Sequence, residues 1–78
     1  MRRPFTPIAG KTYRNEGGGN YRCISSYSEY EACMVNVDSG WTFTAIGIGQ
    51  YPDGTIDWDH SLDGRFDKGG VYESGNYH

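Results

Sequence analysis

Two strand-like segments flank a tight-turn sequence in the second half of this chain. Residues 41–48 read WTFTAIGI and residues 55–59 read TIDWD, and both are rich in the β-branched and aromatic residues that favour strands. Between them, residues 51–54 (YPDG) place Pro and Gly where a β-turn favours them. The pattern predicts that 41–48 and 55–59 pair as an antiparallel hairpin. Its alternate positions predict four core residues: Trp41, Phe43, Ile56 and Trp58.

The remainder of the chain repeats this arrangement of short strands and turns. Strand-like runs at 11–15 and 21–26 flank three consecutive glycines at 17–19, which is typical of a hairpin turn, and another run covers 30–37. Among the 78 residues are 12 glycines, seven tyrosines, three phenylalanines and two tryptophans, a composition that disfavours helix. We therefore predict an all-β fold, a small antiparallel barrel or strongly curled sheet of five to six short strands.

A chain of this length is expected to form one domain with a thin core. We predict an N-terminal arm over residues 1–10, a single β domain over 11–68 and a flexible tail over 69–78. No apolar run approaches the roughly 20 residues that span a membrane, and residues 1–10 lack the apolar segment of a secretory signal. The expected location is the cytoplasm, with no membrane partner.

The two cysteines, Cys23 and Cys33, are too few for the disulfide framework of a small secreted domain. Because they lie ten residues apart, they could face each other across a hairpin and oxidise. We favour two reduced thiols, with at least one acting as a small core residue.

Charge is distributed unevenly along the chain. The formal net charge is −3, but residues 1–22 carry a balance of +4 and residues 23–78 a balance of −7. An acidic surface repels phosphate backbones and attracts basic surfaces, although net charge also serves solubility alone. We predict a partner-binding surface for a basic protein in the acidic part of the chain. Its residues are Tyr51, Asp53, Asp57, Asp59, Asp63 and Asp67.

The basic first third supports a rival interpretation. Small β-barrels often bind nucleic acids or nucleotides through basic side chains combined with aromatic rings that stack on bases. The candidate residues for such a site are Lys11, Tyr13, Arg14, Tyr21 and Arg22. Salt dependence and the charge of the partner distinguish this alternative from the acidic surface.

Other motifs do not meet the requirements of a catalytic or metal site. Residues 57–64 (DWDHSLDG) resemble an oxygen-rich calcium loop, but Leu62 and Lys68 stand where that loop needs Gly and Glu. His60 has acid and serine neighbours only in sequence, and a triad requires groups from separate elements. The glycines at 17–19 lack the Lys-Ser/Thr of a phosphate loop. We expect no enzymatic activity, no metal and no cofactor.

Several segments carry a resemblance to a known group of proteins: GKTYRN with the following GGG and YRC, then SGWTFTA and YPDGTIDWDHS. Over residues 10–66 the chain resembles short uncharacterised proteins encoded by phages, prophages and mobile elements of Gram-positive gut bacteria. Phage proteins of this size without enzyme motifs are often inhibitors of host defence, including anti-CRISPR proteins. The resemblance therefore implies a viral protein that inhibits a host defence protein, with a CRISPR effector nuclease as one candidate, and it assigns no residue a role.

Overall fold

The computed structural model describes residues 1–63, and these residues form eight β-strands and no helix. The strands are β1 (Arg3–Pro4), β2 (Thr12–Arg14), β3 (Asn20–Ser28), β4 (Glu31–Asn36), β5 (Thr42–Ile46), β6 (Gly49–Gln50), β7 (Ile56–Asp57) and β8 (His60–Asp63). Asp67 and the predicted tail at 69–78 lie outside the described residues. Because the described part contains no helix, it contains no helix long and apolar enough to cross a membrane.

The strands form two antiparallel sheets. The three-stranded sheet has the order β1-β6-β7, and the five-stranded sheet has the order β2-β3-β4-β5-β8. The all-β prediction is confirmed. Within residues 1–63 the sheets do not close into a barrel, so the predicted barrel is not confirmed.

Local turn chemistry accounts for two of the hairpins. The glycines at 17–19 join β2 to β3, where the Asn15 N–H donates to the Gly19 carbonyl at 2.9 Å. The YPDG turn at 51–54 joins β6 to β7, closed by the bond from the Tyr51 N–H to the Thr55 carbonyl at 2.8 Å. Both turns agree with the sequence predictions.

The predicted pairing of residues 41–48 with 55–59 is wrong. The strand ends at Ile46, because Gly47 adopts a φ of 76° that an extended strand does not permit. Strand β5 pairs instead with β8, with Phe43 opposite Asp63, and the short strand β6 takes the place beside β7. The turn was identified correctly, but a glycine before it divides the first strand between the two sheets.

The core contains buried residues from both sheets. The five-stranded sheet contributes Cys23, Ala32, Met34, Phe43 and Ala45. Ile56 comes from β7 of the three-stranded sheet, and Ile48 directly precedes β6. Of the four predicted core residues, Phe43 and Ile56 are fully buried, whereas Trp41 and Trp58 are half-buried and pack against the core.

The N-terminal arm (residues 1–10) follows the surface of this core. Strand β1 pairs with β6, the Phe5 N–H donates to the Ile48 carbonyl at 2.9 Å, and Pro7 is fully buried. The Phe5 ring also packs edge-on against Tyr13, with centroids 5.3 Å apart. The arm is therefore attached to the domain at several points.

Candidate binding site on the three-stranded sheet

The acidic residues predicted to form one surface are divided between the two sheets. Asp53 lies in the β6–β7 turn, Asp57 in β7, and Asp59 just after it. Asp63 lies in β8 of the five-stranded sheet, where its carboxylate accepts a bond from the Trp41 indole N–H at 2.8 Å. The first three therefore form the candidate site, and Asp63 is separate from it.

The centre of the candidate site is Arg2, which sequence reasoning did not select. Its Nη1 donates to Asp57 Oδ1 at 2.7 Å, and its Nη2 donates to Asp59 Oδ1 at 2.9 Å. The same Nη2 also donates to the Gly47 carbonyl at 2.9 Å. We call these acceptors, the two carboxylates and the Gly47 carbonyl, the guanidinium site. The hydrogen bond to Asp59 is the largest cause of a raised pKa of Arg2, so the guanidinium stays charged.

Two glycines provide the space for this ion-pair network. A Cβ at Gly47 would overlap the Asp59 carboxylate, and a Cβ at Gly49 would overlap the Arg2 side chain. Gly47 also has the positive φ that ends β5. Both glycines therefore allow the Arg2 side chain to approach the two carboxylates.

Tyr51 supports the network from the other side. Its hydroxyl donates to Asp57 Oδ2 at 2.8 Å, so both oxygens of the Asp57 carboxylate are engaged. This bond is the largest cause of a raised pKa of Tyr51, and the negative charge of Glu16 adds to it. The predicted partner-binding residues Tyr51 and Asp57 are thus in direct contact, and Asp57 is half-buried rather than freely exposed.

Asp53 has a local structural role in the adjoining turn. Its Oδ1 accepts bonds from the Thr55 hydroxyl at 2.6 Å and from the Thr55 N–H at 3.0 Å. These bonds, the hydroxyl first, lower the pKa of Asp53. The carboxylate is exposed and remains charged at neutral pH, so it contributes to the negative potential of the turn.

Tyr30 stands at the edge of the site in a strained backbone conformation. Its φ of 67° places a bulky aromatic residue in the left-handed region, where such residues are rare. The Gly47 and Ile48 N–H groups both donate to its carbonyl at 3.0 Å, which holds the conformation in place. The Tyr30 side chain is 39% exposed. Strain of this kind is found disproportionately at functional sites.

Two shallow clefts lie on either side of β1. One, of about 350 Å³, is lined by Arg2, Pro4, Tyr30, Gly47, Ile48 and Asp59. The other, of about 400 Å³, is lined by Met1, Arg3, Pro4, Gln50, Tyr51 and Pro52. Pro4 of β1 borders both clefts.

The residues of the alternative nucleic-acid site do not share one surface. Tyr13 and Tyr21 face the core side of the five-stranded sheet, where Tyr21 packs against Phe43 at 5.6 Å and against Trp58 at 5.1 Å between ring centroids. Arg14 and Arg22 occupy the alternate positions of β2 and β3 and are exposed on the opposite face. Lys11 precedes β2 and is exposed. The structure therefore separates the predicted stacking rings from the predicted arginines.

Both cysteines are buried, neither forms a disulfide, and their side chains lie on opposite faces of the five-stranded sheet. Cys23 lies opposite Met34, whereas Cys33 lies opposite Ser25, so adjacent positions of β4 alternate between the two faces. Burial is the main cause of a raised pKa of the Cys23 thiol. Within residues 1–63, no group of three or more His, Cys, Asp or Glu side chains is arranged to hold a metal ion.

The comparisons add no family assignment. Searches against protein-family models, curated proteins and solved structures give no match to this chain.

Proposed function

We propose that this protein is a non-enzymatic, phage-type binding protein that inhibits a host defence protein by docking on a basic surface, with a CRISPR effector nuclease as the leading candidate. The observation that carries the proposal is the gathering of Tyr51, Asp53, Asp57 and Asp59 on one small sheet. Arg2 neutralises only one of the two carboxylates that it binds, so this network keeps a net negative charge.

The carboxylates at this surface favour a basic protein partner over a phosphate backbone, which they would repel. CRISPR effectors hold nucleic acid in positively charged channels, and an acidic protein can occupy such a channel. The exposed Asp59 side chain and the half-exposed rings of Tyr30 and Tyr51 combine charge with aromatic contact area. Tyrosine is enriched at protein interfaces because it provides contact area with little loss of rotamer entropy.

A cleavage assay with purified CRISPR effector nucleases tests this proposal. Added protein should inhibit DNA cleavage, and inhibition should weaken as ionic strength rises above about 0.1 M, where the screening length is near 10 Å. Asp59→Lys should reduce inhibition at least about tenfold, as expected for loss of a close charge pair. Asp38→Lys is the matched control, because Asp38 is an exposed acid in the β4–β5 turn. Equal inhibition by the two variants would contradict the assignment of this surface.

A second candidate is nucleic-acid binding through the basic face of β2 and β3. Arg14 and Arg22 are exposed there, and neither forms a salt bridge with any residue of the described segment. Because Tyr13 and Tyr21 pack on the other face, such binding would rest on phosphate contacts alone. Fluorescence anisotropy with single-stranded DNA should then show a steep salt dependence, and Arg14→Ala with Arg22→Ala should reduce the salt slope by about 1 to 2.

A further inference from the structure

The guanidinium site and the arginine that fills it belong to different parts of the molecule. The acceptors come from residues 47–59, whereas the donor is the second residue of the chain. Three acceptors on two guanidinium nitrogens match the planar fork of arginine, and a lysine ammonium would not engage them in the same way. The site is thus a formed receptor for an arginine side chain, with its own Arg2 as the present occupant.

The part of the arm that carries Arg2 is held less firmly than the part that follows. Strand β1 has two residues, lies at a sheet edge, and includes Pro4, which has no N–H to donate. From Phe5 onward the arm is secured by the backbone bond to Ile48, and Pro7 is buried. Release of residues 1–4 would break the β1–β6 pairing and the Arg2 bonds, but it would leave the contacts of Phe5 and Pro7 in place.

The two clefts indicate what can replace residues 1–4. Each cleft is lined partly by residues 1–4 and partly by residues that would remain after their departure. These are Tyr30, Gly47, Ile48 and Asp59 in one cleft and Gln50, Tyr51 and Pro52 in the other. An extended segment can add to an exposed sheet edge through backbone bonds, with alternate side chains entering pockets. Displacement of residues 1–4 would also remove the positive charges of Arg2 and Arg3 from this edge, so the carboxylates of Asp57 and Asp59 that remain would favour a basic segment.

We propose that the guanidinium site binds an arginine on an extended, basic segment of the partner protein, and that Arg2 holds the site until that arginine displaces it. This inference rests on the proposed function for its partner, but the site itself can be tested without one. The arm acts as an intramolecular competitor, and a tethered group of this kind competes at an effective concentration of roughly millimolar.

The test uses the full-length chain with Arg2→Ala and N-acetyl-L-argininamide as the probe, followed by NMR titration. The Gly47 and Ile48 amides should shift on titration, and the apparent Kd should be at least about tenfold lower than for the wild type, because the tethered competitor is gone. N-acetyl-L-lysinamide should bind more weakly than the arginine probe. Adding Asp57→Asn and Asp59→Asn to Arg2→Ala should abolish the preference for arginine.

A second variant covers the case in which Arg2→Ala loosens the domain. Arg2→Lys keeps the charge and most of the side-chain length, and it should also bind the arginine probe more tightly than the wild type. Equal affinity of the wild type and a folded Arg2 variant, or equal affinity for the two probes, would overturn the inference. If the wild type does not inhibit a nuclease but the probes bind as expected, only the proposed host target is refuted. If the wild type inhibits a nuclease but the probes show no arginine preference, only the arginine site is refuted.

Discussion

The five-stranded sheet is held mainly by burial of apolar side chains, whereas the three-stranded sheet depends on polar side-chain contacts. In the first, long strands place Met34 and Phe43 opposite each other with no exposed surface. In the second, each strand has two residues, and only Ile56 among its strand residues belongs to the apolar core. Strands of two residues form few backbone hydrogen bonds with each other, so side-chain bonds have a larger share in holding this sheet.

Under the proposed function, this difference separates stability from binding within one small domain. The five-stranded sheet provides a scaffold, and the three-stranded sheet presents charged groups that a partner can reach. Elements with few buried contacts open at lower free energy than the core. The exchange of residues 1–4 proposed above therefore falls on the less stable part of the molecule.

The largest effect is expected from Phe43→Ala in the five-stranded sheet. Phe43 is fully buried, and it contacts the Trp41 ring at 4.3 Å and the Trp58 ring at 5.2 Å between centroids. Truncation should lower the free energy of unfolding by about 3–5 kcal/mol, which is enough to unfold a domain of marginal stability. Urea denaturation measures this loss. Val37→Ala is the control, because Val37 is 43% exposed and its truncation should change stability by less than about 0.5 kcal/mol.

A smaller loss is expected from Gly47→Ala at the junction of the two sheets. An alanine at this position would have to keep a left-handed φ, which costs about 1–2 kcal/mol. Its Cβ would also displace the Asp59 carboxylate from Arg2. That ion pair is partly exposed and adds at most about 1 kcal/mol.

Gly40→Ala separates the two contributions to the Gly47 effect. Gly40 has a similar φ of 80°, but its added Cβ would meet nothing within 4 Å. Both variants are compared by thermal unfolding. If Gly40→Ala is as destabilising as Gly47→Ala, then the contact of Asp59 with Arg2 adds nothing to the stability of the three-stranded sheet.

Local sequence signals predicted the hairpins but not the arrangement of the sheets. The glycines at 17–19 and the YPDG turn have fixed backbone preferences, so each turn was identified from a few residues. Strand alternation also selected Phe43 and Ile56 as core residues. Strand β5 ends before Gly47, which has a positive φ, and a glycine inside a strand-like run does not by itself show whether the strand continues or ends there.

The site was predicted in part for the same reason. Asp57 and Asp59 were selected because they belong to the acidic part of the chain, and both accept hydrogen bonds from the same guanidinium. Arg2 was missed because its two carboxylate partners lie 55 and 57 residues away in the chain. One signal was available: the basic arm and the acidic segment have opposite charge, and a short edge strand can bring the two together.

Two variants at Tyr30 separate the energetic cost of its positive φ from the contribution of its aromatic ring. Both Tyr30→Ala and Tyr30→Gly remove the ring, but only glycine adopts a φ of 67° without a steric cost. The glycine variant should therefore be more stable than the alanine variant by about 1 kcal/mol. Chemical denaturation of the pair provides the measurement. An alanine variant as stable as the glycine variant would mean that the backbone at this position relaxes and stores no strain.

The smallest effect is expected from Asp53→Asn in the turn of the three-stranded sheet. Because bonds from Thr55 lower the pKa of Asp53 in the folded state, the carboxylate contributes stability above its unfolded pKa, near 4. This contribution is lost as pH falls through the folded pKa. Thermal unfolding should therefore show a small stability advantage of the wild type over Asp53→Asn at pH 7 that shrinks below about pH 4.

A Thr55→Val background is the control, because the bond from the Thr55 hydroxyl to Asp53 is absent there. In that background the pH-dependent part of the stability difference should be smaller. An advantage that grows on acidification would have the wrong sign for a lowered pKa, and it would remove this carboxylate from the polar contacts that hold the three-stranded sheet.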